Sequence, residues 1–241
     1  MVSKSGFTLA EVLVTLGIIG IVAAMTIPNL VSNYKKSVTE NKLKAQVALI
    51  SSAIQMAESK HGFTEEWPVC QNTGSVECTA NYFDNYLAPE LKVLNICKPS
   101  VEACWTPPKN LLGKVAYLTN SGTKHISAVL ANGSSIYMWA GIDSGVSSSE
   151  HIQLWFDIDG PNKGRGILGS DVFGIIIRFA NSTSGPKGVS IIGADLDSDV
   201  LINDASQGCS STATGYLAGR YCGALIQANG WKIPKDYPVK F

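Results

Sequence analysis

The chain has 241 residues and balances 19 basic against 19 acidic side chains, with a pI near 6.8. A composition that is 45% hydrophobic and 16% charged excludes a disordered chain, and zero net charge lacks the basic footprint of nucleic-acid binders. The length allows one sizeable core with an appendage. The charge is unevenly placed, because no Asp, Glu, Lys or Arg lies between Glu11 and Lys35. As a helix, the apolar run from Phe7 to Ile27 would reach about 31 Å at about 1.5 Å per residue, which matches one hydrocarbon core. A cleaved secretory signal has a shorter apolar stretch, so this run reads as a membrane span. Glu11 is its anomaly. An acid within a span costs of order 2.5 to 3.5 kcal/mol at mid-membrane, less towards an end, and is a functional residue by default. The free amine of a chain cut just before Phe7 would lie four residues away and would neutralise it.

The residues Ser5-Gly6-Phe7-Thr8-Leu9-Ala10-Glu11, followed by the apolar run and Pro28, resemble the N-terminus of type IV pilins and type II secretion pseudopilins. The resemblance implies a leader of residues 1–6 that a prepilin peptidase cuts after Gly6, and N-methylation of Phe7. It implies that Glu11 of one subunit meets the Phe7 amine of its neighbour during assembly, with residues 7–28 as the transmembrane and assembly helix. Ala10 is smaller than the residue often found there. Gly17, Gly20, Ala23 and Ala24 permit close helix approach. Pro28 lacks an N–H and is expected to kink or locally unwind the helix near the membrane exit.

Leu43, Val47, Ile50, Ile54 and Ala57 then form one apolar stripe at helical spacing, with Lys35, Lys36, Glu40, Lys42, Lys44 and Glu58 largely off it. Gly62, after His61, is a plausible helix end. Residues 29–62 are therefore expected to be an amphipathic helix running into a head at 63–241. Residues 63–112 look irregular, with Trp67-Pro68, Pro89, Pro99 and Pro107-Pro108 as breakers and a short helix expected near 82–94. Beyond them, 115–119, 126–131, 134–140, 151–158, 172–179 and, less clearly, 189–192 read as strands. Asn132-Gly133 is a tight-hairpin signal between two of them. The fold class is α+β: a long N-terminal helix packed on an antiparallel sheet, as in pilins.

Six cysteines, Cys70, Cys78, Cys97, Cys104, Cys209 and Cys222, suit an exported head, and six thiols allow 15 disulfide connectivities. Proximity favours 70–78, 97–104 and 209–222. The last bracket resembles the C-terminal disulfide loop of many pilins. No Cys-x-x-Cys spacing supports zinc, and His61, His125 and His151 are scattered.

Asp157, Asp159, Asn162 and Asp171 would offer hard oxygen ligands from one loop between two strands, so calcium is the cofactor to consider. The competing reading is a Gly/Asp turn whose residues serve backbone geometry. Asp195, Asp197 and Asp199 alternate and in a strand would share one acidic face. Trp67, Trp105, Trp139, Trp155 and Trp231 are core candidates, with a sugar platform as the sharper alternative. No G-x-S-x-G, H-E-x-x-H or P-loop pattern is present, so no enzyme is read from the sequence.

The reading that follows is a pseudopilin or minor pilin, processed by a prepilin peptidase and methyltransferase. It would sit first in the inner membrane as a single-pass protein among lipid, its head outside the cytoplasm. It would then join other pilin or pseudopilin subunits, through an inner-membrane assembly platform, in a filament in the periplasm or at the cell surface. The alternative is a membrane-tethered binding module for a glycan or surface ligand that does not polymerise.

Overall fold

The computed structural model describes residues 6, 8–67, 76–97, 104–116, 118, 125–142, 150–178 and 188–241. Helix α1 (Leu9–His61) is one 53-residue element, about 80 Å long at the usual rise, and it ends at Gly62 with φ +83°. Pro28 lies inside it without the expected unwinding. A proline removes a single donor, and the flanking turns keep their helical geometry here.

Burial divides α1 into two objects. No residue before Thr39 is buried, whereas Thr39, Glu40, Leu43, Gln46, Ile50, Ala53, Ile54 and Ala57 are. The docked face is the expected stripe, except that Val47 is half-buried and two polar residues, Glu40 and Gln46, join it. The head covers α1 from Thr39 onward, so the exposed rod extends about two turns beyond Val31.

The head is built on a six-stranded antiparallel meander with spatial order β1 to β6. Its strands are β1 (Val93–Cys97), β2 (His125–Leu130), β3 (Ser135–Ile142), β4 (Glu150–Asp157), β5 (Val172–Arg178) and β6 (Gly188–Ile191). Alternation sets the two faces. Ile126, Ala128, Ile136, Met138, Ile152, Leu154, Phe156, Phe173, Ile175 and Ile177 point to α1 and form the larger core. The β2–β3 hairpin turns through Gly133 at φ +86°.

The opposite face is covered too. Tyr137, Trp155, Val172 and Ile176 meet Trp105, Ala116, Leu168, Ile192 and Leu217 in a second core. Gly174 makes this possible, because a Cβ there would come within 2.9 Å of the Trp155 ring and 2.7 Å of Ile192. The small helices α2 (Val76–Tyr82), α3 (Ser198–Asn203) and α4 (Cys222–Ala228) complete the head. Disulfides join Cys97 to Cys104 and Cys209 to Cys222, and the second pair is buried against the core. Cys78 is disulfide-bonded as well, while Cys70 lies outside the described residues.

Three expected elements differ. The helix near 82–94 lies earlier, as α2 followed by a π turn at Phe83–Leu87, and Val93 to Cys97 instead pair with β2. The expected strand at 115–119 is reduced among the described residues to one bridge between Val115 and Lys109, in the strap that carries Trp105 across the sheet. Asp195, Asp197 and Asp199 share no strand face, because β6 stops at Ile191. Gly193, at φ +93°, turns the chain, and Asp197 takes the N-cap position of α3.

Candidate functional site

The N-terminal half of α1 presents Leu9, Leu13, Val14, Leu16, Ile18 and Ile19, each more than half exposed. Its sequence suffices by length and composition to cross a membrane, and none of the described residues covers it. Polar groups along it are satisfied locally. Thr15 Oγ donates to the Val12 carbonyl at 3.0 Å and Thr26 Oγ to that of Val22 at 2.9 Å. Such bonds suit a lipid environment, where water cannot serve the hydroxyls. Gly17 and Gly20 leave open surface where a Cβ would meet nothing within 4 Å.

At the tip, Thr8 and Glu11 form a reciprocal capping box. The Glu11 carboxylate accepts from the Thr8 N–H at 2.8 Å and from its hydroxyl at 2.8 Å, while the Glu11 N–H donates to Thr8 Oγ at 3.3 Å. Two otherwise unserved helix N–H groups are thereby satisfied, and the carboxylate lies at the positive end of the helix dipole. Sequence reasoning sought a partner for Glu11 only in the Phe7 amine. Threonine three residues before a glutamate at a helix start is the signal that would have shown the cap. Gly6 precedes it, exposed, and Phe7 lies outside the described residues.

Four polar side chains of α1 fasten it to the head. Buried Glu40 accepts from Lys232 Nζ at 2.7 Å and from the Ile233 N–H at 2.9 Å, holding the C-terminal tail against the helix. Lys42 pairs with Asp159 at 2.6 Å, Gln46 accepts from Asn132 at 2.8 Å, and Lys60 pairs with Glu90 at 2.5 Å. The sequence placed Glu40 and Lys42 off the stripe, where solvation was the natural expectation.

The loop considered for calcium uses its oxygens internally. Asp171 accepts N–H bonds from Arg165, from Gly166 at 2.8 Å and from Ile167 at 2.8 Å. Asp157 accepts from the N–H groups of Asp159 at 2.9 Å and Gly160 at 3.2 Å. Asp159 holds Lys42, and the Asn162 side chain accepts from Thr106 at 3.0 Å. Among the described residues no three Asp, Glu, His or Cys side chains are grouped as a metal site requires. The loop is shaped by carboxylate-to-backbone bonds, the turn chemistry that competed with the cation reading.

Burial, helped by the charges of Asp171 and Asp159, raises the Asp157 carboxyl from 3.8 to about 7, against the pull of its two N–H partners. The folded value lies above the unfolded one, so the native state holds the proton more tightly. Stability from this group is fully present below pH 3.8, falls as pH rises to about 7, and is level above that. With about 1.4 kcal/mol per unit and allowance for screening, the fall is about 2 kcal/mol, or roughly 4–8 °C in Tm. Asp157→Asn keeps an acceptor for both N–H groups and is expected to flatten the Tm profile across that window. A slope equal to the parent's would assign the titration to another group.

Trp67, Trp105 and Trp155 are buried, and Trp139 and Trp231 half-buried, so the tryptophans serve mainly as packing residues. Trp67 stacks on Tyr86 at 4.0 Å between ring centroids, and the Arg220 guanidinium lies 5.7 Å from the Trp155 ring centroid. His61 meets Tyr86 edge-on at the end of α1, and His125 packs on Tyr137. The His151 side chain lies outside the described set.

A model described as a family of unknown function (DUF6613) matches residues 29–159 and 187–241, and one described as the prokaryotic N-terminal methylation motif matches residues 1–27. The two matches meet at Pro28, although α1 runs through that point without a break. No curated protein and no solved structure matches the chain.

Proposed function

Since the chain belongs to the DUF6613 family of unknown function and carries a type IV pilin-like prepilin signal, we propose that it is a pseudopilin or minor pilin of a type IV pilus or type II secretion filament. The observation that carries this reading is the contrast along α1. One half is clamped to a finished head, and the other is a bare apolar rod with an acid at its tip. A rod of this kind has two environments available to it, lipid before assembly and neighbouring rods after it.

In this proposal the leader of residues 1–6 is removed after Gly6, and residues 7–28 anchor the subunit in the inner membrane with the head outside the cytoplasm. Glu11, capped by Thr8 in the single chain, exchanges part of that cap for the Phe7 amine of a neighbour. Gly17 and Gly20 let the rods approach. The role is structural, and the chemistry acts on the chain rather than being performed by it.

Mass spectrometry of the mature protein tests the first step. The expected N-terminus is Phe7 bearing one added methyl group. A mature chain beginning near residue 25 or later would instead identify a secreted protein with an ordinary signal peptide and remove the filament role.

A further inference from the structure

We propose that the end of the head nearest the membrane is a docking face for the anionic headgroups of the leaflet from which α1 emerges. The inference rests on the reading of the N-terminal half of α1 as a membrane span. Zero net charge conceals a separation of charge along that helix. Tyr34, 69% exposed, and Lys35 end the apolar rod. From Leu9 to Tyr34 the helix rises about 38 Å, which places the tyrosine at headgroup level, where amphipathic rings settle.

Over the next three turns, three parts of the chain meet. Helix α1 contributes exposed Lys35, Lys42 and Lys44. The loop tied to it through Asp159 contributes exposed Lys163 and Arg165. The C-terminal tail, tied through Glu40, adds Lys232, Lys235 and Lys240, and the Arg165 guanidinium donates to the Lys240 carbonyl, joining loop to tail. The acids at this level are occupied: Glu40 by the tail, Asp159 by Lys42, and buried Asp157 and Asp171 by backbone N–H groups. Asp236 is the remaining exposed carboxylate there among the described residues. At the far end of α1 the balance reverses, with Glu58, Glu66, Glu77, Asp84 and Glu90 against Lys60 and Lys92.

Two physical arguments favour lipid over a second copy of the chain. Lysine is depleted at protein interfaces. Moreover, no large apolar side chain among the described residues at 35–48, 159–167 or 231–241 is exposed to form a dry centre. The helix's own bases lie within about 15 Å of Tyr34 along the helix, the loop and the tail are tied to it at Lys42 and Glu40, long side chains span much of that distance, and screening at physiological salt acts over about 8 Å. In the orientation proposed above they also stand on the exported side, against the usual bias of lysine to the cytoplasmic side.

The test uses the mature full-length chain in bilayers of phosphatidylcholine with a minor fraction of phosphatidylglycerol. Spin-labelled versions of each lipid report their relative association with the protein. The expected result is a preference of roughly threefold or more for phosphatidylglycerol, falling towards unity at high salt. The same loss is expected in a variant combining Lys35→Glu, Lys163→Glu and Lys235→Glu. These side chains make no hydrogen bond among the described residues, and glutamine versions serve if charge reversal disturbs the fold. Equal association of the two lipids with an inserted chain overturns the inference while leaving the span intact. Failure of the chain to insert overturns the span reading itself. Unchanged lipid preference in the variant, with loss of contact between copies, assigns the face to a second subunit and overturns the proposal.

Discussion

Glu11→Ala is expected to leave the subunit in the membrane and to reduce its incorporation into filaments at least tenfold. Removing the acid lowers the cost of inserting the rod, by up to about 2.5–3.5 kcal/mol if the residue sits at mid-membrane and by less near the end, so insertion should not suffer. Two further variants separate the observed cap from the proposed charge pairing of this side chain. Glu11→Gln can still accept from the Thr8 N–H, as glutamine serves the same position in a capping box, but it carries no charge for a neighbour's amine. Thr8→Ala weakens the cap by about 1 kcal/mol and leaves the charge. If charge pairing drives assembly, the glutamine variant fails like the alanine one, and the Thr8 variant assembles with reduced yield. Filaments sheared from cells and compared with the membrane fraction by immunoblot give the answer. Normal filaments from Glu11→Gln would show that Glu11 acts only as a cap. Normal filaments from Glu11→Ala would sink the proposed assembly role and favour a tethered, non-polymerising module.

Gly160→Ala is the head substitution with the largest expected effect. Gly160 has φ +88°, and a Cβ there would fall on the carbonyl oxygen of Gly133, in the β2–β3 turn. The conformational cost alone is about 1–2 kcal/mol. The collision is with backbone rather than with a yielding side chain, so the total should reach about 3 kcal/mol or more, or roughly 6–12 °C in Tm. Displacing Gly160 also moves Asp159 from Lys42 and disturbs the N–H pair that Asp157 accepts. Gly166→Ala is the control, since it has φ +60° with nothing within 4 Å of the added carbon. It should cost only the conformational part. Equal melting temperatures for the two variants would show that the contact with Gly133 is not what matters.

Much of this architecture was legible in the sequence because it rests on local chemistry. Strand patterning, the turn at Gly133 and the helix stop at Gly62 depend on residues within a few positions of one another. What was misread depended on distant partners. Val93 to Cys97 became an edge strand because β2, about thirty residues later, offered a ladder. Val115 and Ala116 form no strand because they belong to a strap over Trp155 and Tyr137. The aspartates of the loop at 157–171 resembled a ligand set by composition, and only their geometry shows Asp157 and Asp171 bonded to backbone N–H groups and Asp159 to Lys42.

Sequence alone determined the rod, its acid, the N-terminal methylation motif and the α+β class of the head. Hydrophobic periodicity and the residue order of a short N-terminal motif hold whatever surrounds them. Tertiary structure decided where the head begins to grip the rod, at Thr39 rather than at Pro28, and which charged residues do the gripping. Glu40 and Lys42 read as solvated helix positions until the tail and the loop of Asp159 are brought to them. Contacts spanning 117 and 192 residues have no local signature, because their energy comes from desolvation and pairing that exist only once the chain has folded. The same folding turns a net charge of zero into a basic end beside the exposed rod and an acidic end away from it.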